Sequence, residues 1–419
     1  MTAACPVCDS RDLDACVRLP GVPVYCNVLF TDRRDALAAP TGDIDLVACR
    51  ACGHLFNAAF DPARVAYSSD YENSLHHSPR FQQYAHALAA RLVADYDLHG
   101  KTVVEIACGQ GDFLKLLCET GGNQGIGFDP SYTPGRSGAV GSTADLRFVQ
   151  DYYSEAHAGV AADLVCCRHA LEHIARPVEF LRTLRRAIGG RATPVFFEVP
   201  DALHTVAGLG VWDLIYEHCG YFWEGSLATA FERAGFAVAR LGTEFGGQYL
   251  TIEAVPDGDV ARTDSGSSAM VSHAVRPESA PLAQVSKGAS PDRRSLDALA
   301  TSVARFAAAY RAKVEHWHAV LHALRRDGRR AVLWGAGSKG VSFVNALQAS
   351  EAIDCLIDLN PHKHGRFVPG TGHPIRAPES LAARPPDAVI VMNPLYAEEI
   401  GTALRAMGIE AELLVEGTA

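Results

Sequence analysis

Residues 101–129 read KTVVEIACGQGDFLKLLCETGGNQGIGFD. A strand-like run, a turn carrying Gly109 and Gly111, a helix-periodic stretch and a second short apolar run ending in Asp129 make a βαβ opening. Parallel strands need a crossover between them, and the crossover helices cover the sheet, so this order commits the surrounding chain to an α/β architecture. The neighbours agree: HSPRFQQYAHALAARLVADYDL has helical spacing, and ADLVCCR and TPVFFEVP read as further parallel strands. A second opening of the same kind, RAVLWGAGSKGVSFVNAL followed by DCLIDLN, comes after a long helical pattern, LDALATSVARFAAAYRAKVEHWHAVLHALRR.

A chain of 419 residues exceeds what one core usually holds, and 48% apolar content suffices for several. Residues 1–70 are turn-rich and short of periodic apolar positions, so something other than a core must organise them. Cys5 and Cys8 form one CxxC, and Cys49 and Cys52 a second. Two such pairs supply the four thiolates of a tetrahedral Zn²⁺, and a closed sulfur shell predicts a structural role. Cys16, Cys26, Cys108, Cys118, Cys166, Cys167, Cys219 and Cys355 have no partner at ligand spacing and read as core thiols. The stretch 256–294 is rich in Ser, Ala, Pro and Gly and reads as a linker or mobile loop. The expected division is 1–70, a zinc-binding lobe; 71–255, a first Rossmann-like domain; 256–294, the linker; and 295–419, a second Rossmann-like domain.

A net charge of −10 with 38 Lys and Arg offers no basic excess for a phosphate backbone, so nucleic acid is not an expected partner. The N-terminus MTAACPVCDS lacks a basic and an apolar signal region, and no run of about 18 apolar residues occurs. A soluble cytoplasmic protein with reduced thiols, away from the membrane, is the expectation.

In VVEIACGQGDFL, Glu105 ends a strand, Gly109 and Gly111 shape the turn, and Phe113 opens the helix. Asp129 ends the next strand, where an acid holds a ribose diol. Asp151 and Tyr152 follow a third strand, where they meet an adenine edge and face. The ExxCGxGxF form resembles motif I of class I methyltransferases, which implies S-adenosylmethionine (SAM) as cofactor. The second loop, WGAGSKG, spells GxGxxG through Gly335, Gly337 and Gly340. Two readings stand: an anion site, with Gly335, Lys339, Lys363 and Arg366 around a substrate diphosphate, or glycines that serve helix–strand packing alone.

The paired CxxC motifs, CGQGDF, RHALEHI at 168–174, YEHCGYF at 216–222, GGQYL at 246–250 and DLNPHKHGRFVPGTG at 358–372 together resemble the deoxysugar C-methyltransferases, which act on nucleotide-linked 4-keto sugars. The resemblance spans nearly the whole chain. It implies a zinc-bearing N-terminal lobe, a central methyltransferase domain, a C-terminal Rossmann-like lobe and a small-molecule substrate, a nucleotide sugar, between the last two. The chemistry it implies is removal of a proton beside a ketone and methylation of the carbanion. In that family the catalytic run is Tyr, any residue, Glu, His; here Ile215 stands at the first place and Tyr216 follows it.

Removing an α-proton near neutral pH needs a base poised there and a donor for the enolate oxygen. His218 is the first choice of base, with Glu217 orienting or tuning it. His173 is a second candidate, and Tyr71 and Tyr216 are the candidate hydroxyl donors. Two other readings remain: O- or N-methylation of a non-sugar substrate, and a non-catalytic nucleotide-sugar binding protein. The intact CGQGDF and Asp129 speak against the last.

Overall fold

The computed structural model describes residues 3–28, 30–67, 70–135, 141–258, 293–348 and 352–417; most of the expected linker, 259–292, lies outside the described residues. Among the described residues there are three sheets. The first is antiparallel and joins Leu13–Pro23, Thr41–Cys49 and Leu55–Asn57 to Gly220–Tyr221, a strand from far along the chain. Leu55 lies opposite Tyr221 and Phe56 opposite Gly220, and the Asn57 N–H donates to the Cys219 carbonyl at 3.0 Å. Phe222 then bridges to Asp201 beside the central sheet. Residues 219–222 are therefore a backbone seam between two sheets. A two-residue strand has no alternation to read, so sequence periodicity gave no sign of it.

The central sheet has seven strands, in spatial order Phe236–Glu244, Tyr249–Pro256, Val195–Pro200, Leu164–Arg168, Thr102–Ile106, Gln124–Phe128 and Asp145–Val149. The last five are parallel, and Tyr249–Pro256 runs antiparallel to both its neighbours. Every residue of Leu164–Arg168 is buried, as expected of a strand covered on both faces. The chain leaves Thr102–Ile106 to build first on one side and then on the other, which opens a crevice at the carboxyl ends of the strands.

The third sheet is all parallel: Ile375–Arg376, Ile353–Ile357, Ala331–Trp334, Ala388–Val391 and Glu412–Val415. The expected long helix precedes it as Arg293–Arg326. Leu299, Val303, Phe306 and Trp317 of that helix share one apolar cluster with Ile44 and Leu46 of the first sheet, with Trp212, and with Leu333 of the third. The first and third sheets thus pack through a common core. The third sheet also meets the central unit through polar contacts. Gln248 and Asn393 exchange two side-chain amide hydrogen bonds of 2.9 Å. The Glu399 carboxylate accepts from the Ser78 hydroxyl at 2.8 Å and the Arg80 N–H at 2.9 Å, placing a negative charge at the start of helix Pro79–Tyr96. Among the described residues no helix is long and apolar enough to cross a membrane.

In the second glycine loop a Cβ on Gly340 would overlap the Gly335 carbonyl oxygen, so this glycine is required for close helix–strand approach. Gly340→Ala is expected to destabilise the protein by about 1–3 kcal/mol through overpacking. Thermal unfolding would record the loss, and calorimetry should find the affinity for SAM unchanged.

Candidate active site

A cavity of ≈ 480 Å³ lies at the carboxyl ends of the central strands, within the size range of small-molecule sites. Two strand ends turn sharply into it: Ala107 (φ 56) and His169 (φ 51) both adopt left-handed backbone that costs a non-glycine residue. At Gly109 (φ 56) a Cβ would meet nothing within 4 Å, so the backbone faces open space. Gly111 (φ 84) starts helix Asp112–Gly121, and a Cβ there would overlap the Phe148 ring.

Asp129 braces the glycine loop. One carboxylate oxygen accepts from the Gly109 N–H at 2.8 Å, and the other accepts from the Ser131 N–H at 2.7 Å and hydroxyl at 2.6 Å. Burial raises its pKa despite these bonds. Glu105 is buried at the strand end and accepts from the Leu114 N–H, while its Oε2 has no hydrogen-bond partner among the described residues. Burial pushes its carboxyl up to about 8 against the pull of Arg168. A buried acceptor without a partner at a cavity wall fits a ligand that brings a donor or positive charge, as SAM does. Arg168 is held by Glu198, through Nε at 3.1 Å and Nη2 at 2.8 Å, and its guanidinium lies 4.1 Å from the centre of the Phe113 ring. Asp151 and Tyr152 complete that side of the wall.

Tyr71 and His173 line the other side. The Tyr71 hydroxyl accepts from the Asn27 side-chain amide at 3.4 Å and lies near the Glu217 carboxylate. Glu217 is fully buried; its Oε2 accepts from the Cys26 N–H at 2.7 Å, and burial pushes its carboxyl up to about 7. His173 Nδ1 lies 2.7 Å from the Tyr67 hydroxyl, and the Glu217 backbone carbonyl lies near the ring. Burial holds its pKa down to about 4. His218 packs edge-on against His173, with ring centroids 4.8 Å apart. It is partly exposed, its ring nitrogens have no hydrogen-bond partner among the described residues, and burial keeps its pKa well below the usual imidazole value.

The structure therefore brings Glu105, Gly109, Phe113, Asp129, Asp151, Tyr152, Tyr71 and His173 to one cavity. Gly111 shapes the loop from behind, and Glu217 and His218 touch the wall residues Tyr71 and His173. Glu217 is engaged by Cys26 through Oε2, its buried Oε1 has no hydrogen-bond partner among the described residues, and it makes no side-chain bond to His218 there, since successive residues point apart. Tyr216 is elsewhere: its hydroxyl accepts from the Asp61 N–H at 2.9 Å, and its ring packs on Phe60. The residues of the second glycine loop are not in this wall either. Lys339 pairs with Asp213 at 3.1 Å. Lys363 is buried, donates to the Ala336 carbonyl at 3.0 Å and lies 3.6 Å from Asp358. Gly335 (φ 109) turns the strand end, and Arg366 is partly exposed nearby. Sequence reasoning missed Tyr67, Glu72 and Arg168 as wall residues. The only signal was their position, beside Tyr71 and at the start of RHALEHI.

The four N-terminal cysteines converge. Cys5 and Cys52 sulfurs are 3.6 Å apart, Cys8 and Cys49 3.4 Å, and all four lie within 4.8 Å of one another. Zinc–sulfur bonds of about 2.3 Å in a tetrahedron give sulfur separations of about 3.8 Å, so the donor set is compatible with zinc. Glu172, His173 and His218 also bring ligand-type atoms within 4.8 Å, but the His173 ring is already engaged by Tyr67, which favours an acid–base cluster.

Sheet order, glycine loop and cavity define a SAM-dependent methyltransferase, and a family model described as a methyltransferase domain matches residues 75–241. A second model, described as the C-methyltransferase C-terminal domain, matches residues 265–413. The chain is 25% identical to C-methyltransferase NovU of Streptomyces niveus over 94% of this chain and 90% of that protein. These matches make the chain similar to the C-methyltransferases, the likeness its motifs imply. Solved structures similar to part of it include magnesium protoporphyrin IX methyltransferase of Synechocystis PCC 6803 with bound SAH (20% identity, 42% of this chain and 84% of that one, TM-score 0.34). Another is the 1,6-didemethyltoxoflavin-N1-methyltransferase of Burkholderia thailandensis (16% identity, 49% and 96%, TM-score 0.34).

Glu105 ties stability to pH. The folded state keeps its proton up to about 8, whereas the unfolded chain releases it near 4.5. Between those values the folded state binds more protons, so stability falls as pH rises, by at most about 1.4 kcal/mol per pH unit from this group. Glu105→Gln should flatten the fall in thermal midpoint between about pH 5 and pH 8 relative to the unsubstituted protein. An identical slope in both proteins would contradict the assignment.

Proposed function

We propose that the protein methylates a carbon α to the ketone of a nucleotide-linked sugar, with His218 as the base. Residues 71–255 bind the methyl donor and 295–419 the nucleotide. The observation that carries this reading is the state of His218: partly exposed, neutral, without a hydrogen-bond partner among the described residues, and in ring contact with the wall of the donor cavity. Of the two histidines, His173 has its ring engaged and His218 has a lone pair available.

In this reading Glu105 and the Gly109 turn hold the donor, Gly111 and Phe113 shape its pocket, Asp129 meets the ribose, and Asp151 and Tyr152 meet the adenine. Bound SAM supplies an electrophilic methyl group. His218 takes the α-proton, the C–H electron pair moves into an enolate, and the Tyr71 hydroxyl donates to the developing oxygen. The carbon then forms its new bond to the methyl group as the S–CH₃ bond breaks, and the proton leaves His218 to solvent. Glu217, with its carboxylate near Tyr71 and its Oε1 unpartnered among the described residues, is placed to orient that hydroxyl instead of the imidazole beside it in sequence.

One observation favours a different acceptor. Lys339 and Lys363, expected at a diphosphate, are paired within the chain, which suits an O- or N-methylated substrate without a nucleotide. Exchange separates the two readings. With a keto-sugar nucleotide in D₂O and S-adenosylhomocysteine in the donor pocket, the enzyme should wash out the α-hydrogen, and His218→Ala should lose both exchange and methylation. Methylation of oxygen or nitrogen with no exchange at carbon would overturn the carbanion route.

The same proposal places one structural zinc on Cys5, Cys8, Cys49 and Cys52. Elemental analysis of purified protein should find about one zinc per chain, and Cys52→Ala should lower both zinc content and thermal stability. A folded N-terminal sheet with no metal would refute it.

A further inference from the structure

Tyr67 has no role in the mechanism above, yet it is the wall residue that touches a histidine most directly. Its hydroxyl lies 2.7 Å from His173 Nδ1, its ring stands edge-on to His173 (centroids 5.7 Å) and edge-on to Tyr71 (5.0 Å), and it lines the cavity. A buried phenol keeps its proton, so it is the donor in this bond. Nδ1 is then the acceptor, and the hydrogen of the neutral ring sits on Nε2. The Glu217 backbone carbonyl lies near the same ring, an acceptor that suits that hydrogen. Glu217 is joined by its own peptide bond to His218, whose ring packs on His173. Every contact in the series therefore favours the same tautomer.

We infer that Tyr67 is a positioning residue: its hydroxyl fixes the tautomer of His173, whose Nε2–H holds the Glu217 carbonyl and so places the His218 ring. The hydroxyl comes from the segment before Tyr71, while the catalytic run itself carries Ile215 and a Tyr216 whose hydroxyl is engaged by Asp61. His173 is on this account a strut between two elements, and no proton passes through it. The inference rests on His218 as base, but its tautomer and its substitution pattern are read separately from that assignment.

Two measurements test it. In protein labelled with ¹⁵N-histidine, His173 should appear as the Nε2–H tautomer with Nδ1 as a hydrogen-bonded acceptor, without titrating through neutral pH. Tyr67→Phe should shift Nδ1 toward a free acceptor. An Nδ1–H tautomer, or a Tyr67→Phe spectrum unchanged at His173, overturns the inference whatever the substrate proves to be. Kinetically, Tyr67→Phe should lower kcat for exchange about tenfold, the worth of one hydrogen bond, with KM for SAM unchanged. The side-chain amide of His173→Gln reaches the place of Nε2 and should retain measurable exchange, whereas His173→Asn, which mimics only Nδ1, should lose it. Equal loss in both would show that an amide at the place of Nε2 does not replace the ring, and would refute the strut. Loss in neither would remove it from the site.

Discussion

The pairing of Gly220–Tyr221 with Leu55–Phe56 is the joint on which the site depends. It fixes the end of the segment that carries Glu217 and His218, and the Phe222–Asp201 bridge fixes the same segment to the central sheet. The side chains repeat the connection: Glu217 accepts from the Cys26 N–H of the N-terminal region, and its carboxylate lies near Tyr71 of the cavity wall. Trp223 donates to the Cys52 carbonyl, so the cysteine knuckle rests on the chain just beyond the seam. The N-terminal sheet is thus part of how His218 is held, and not an appendage to the site.

Burial then decides the chemistry. Glu105 and Glu172 are pushed up to about 8 and Glu217 to about 7, while His173 is held down to about 4 and His218 lower still than a free imidazole. In each case desolvation is the largest cause. Near neutral pH the site is a set of mostly uncharged groups in a poorly screened pocket, and the charge that a cationic methyl donor brings is felt strongly there. A neutral imidazole can accept a proton; a charged one could not.

Much of this was legible in the sequence because the relevant residues are local. The glycine turn, the strand ends at Glu105 and Asp129 and the two CxxC pairs sit within short windows whose spacing maps onto geometry, and the α/β class and the methyltransferase fold follow from the order of strands and helices. What was illegible depends on partners distant in sequence. Lys339 read as free cation, but Asp213 takes it; Lys363 is spent on Asp358 and Ala336. Tyr216, beside Glu217 in the chain, points into the packing under Gly42 and Phe60. Tyr67 reaches His173 only because the chain before helix Pro79–Tyr96 folds over the cavity. No periodicity encodes such a contact.

The claim that the N-terminal sheet holds His218 is open to hydrogen exchange read by mass spectrometry, on the intact protein and after treatment with a chelator that would strip the zinc proposed for its four cysteines. If the seam holds His218, the amides of 55–57 and 219–221 lose protection together on stripping, while the strand Thr102–Ile106 stays protected and S-adenosylhomocysteine still binds. Protection that persists at 219–221 while 55–57 opens would show that the central sheet alone positions His218, and would contradict the account.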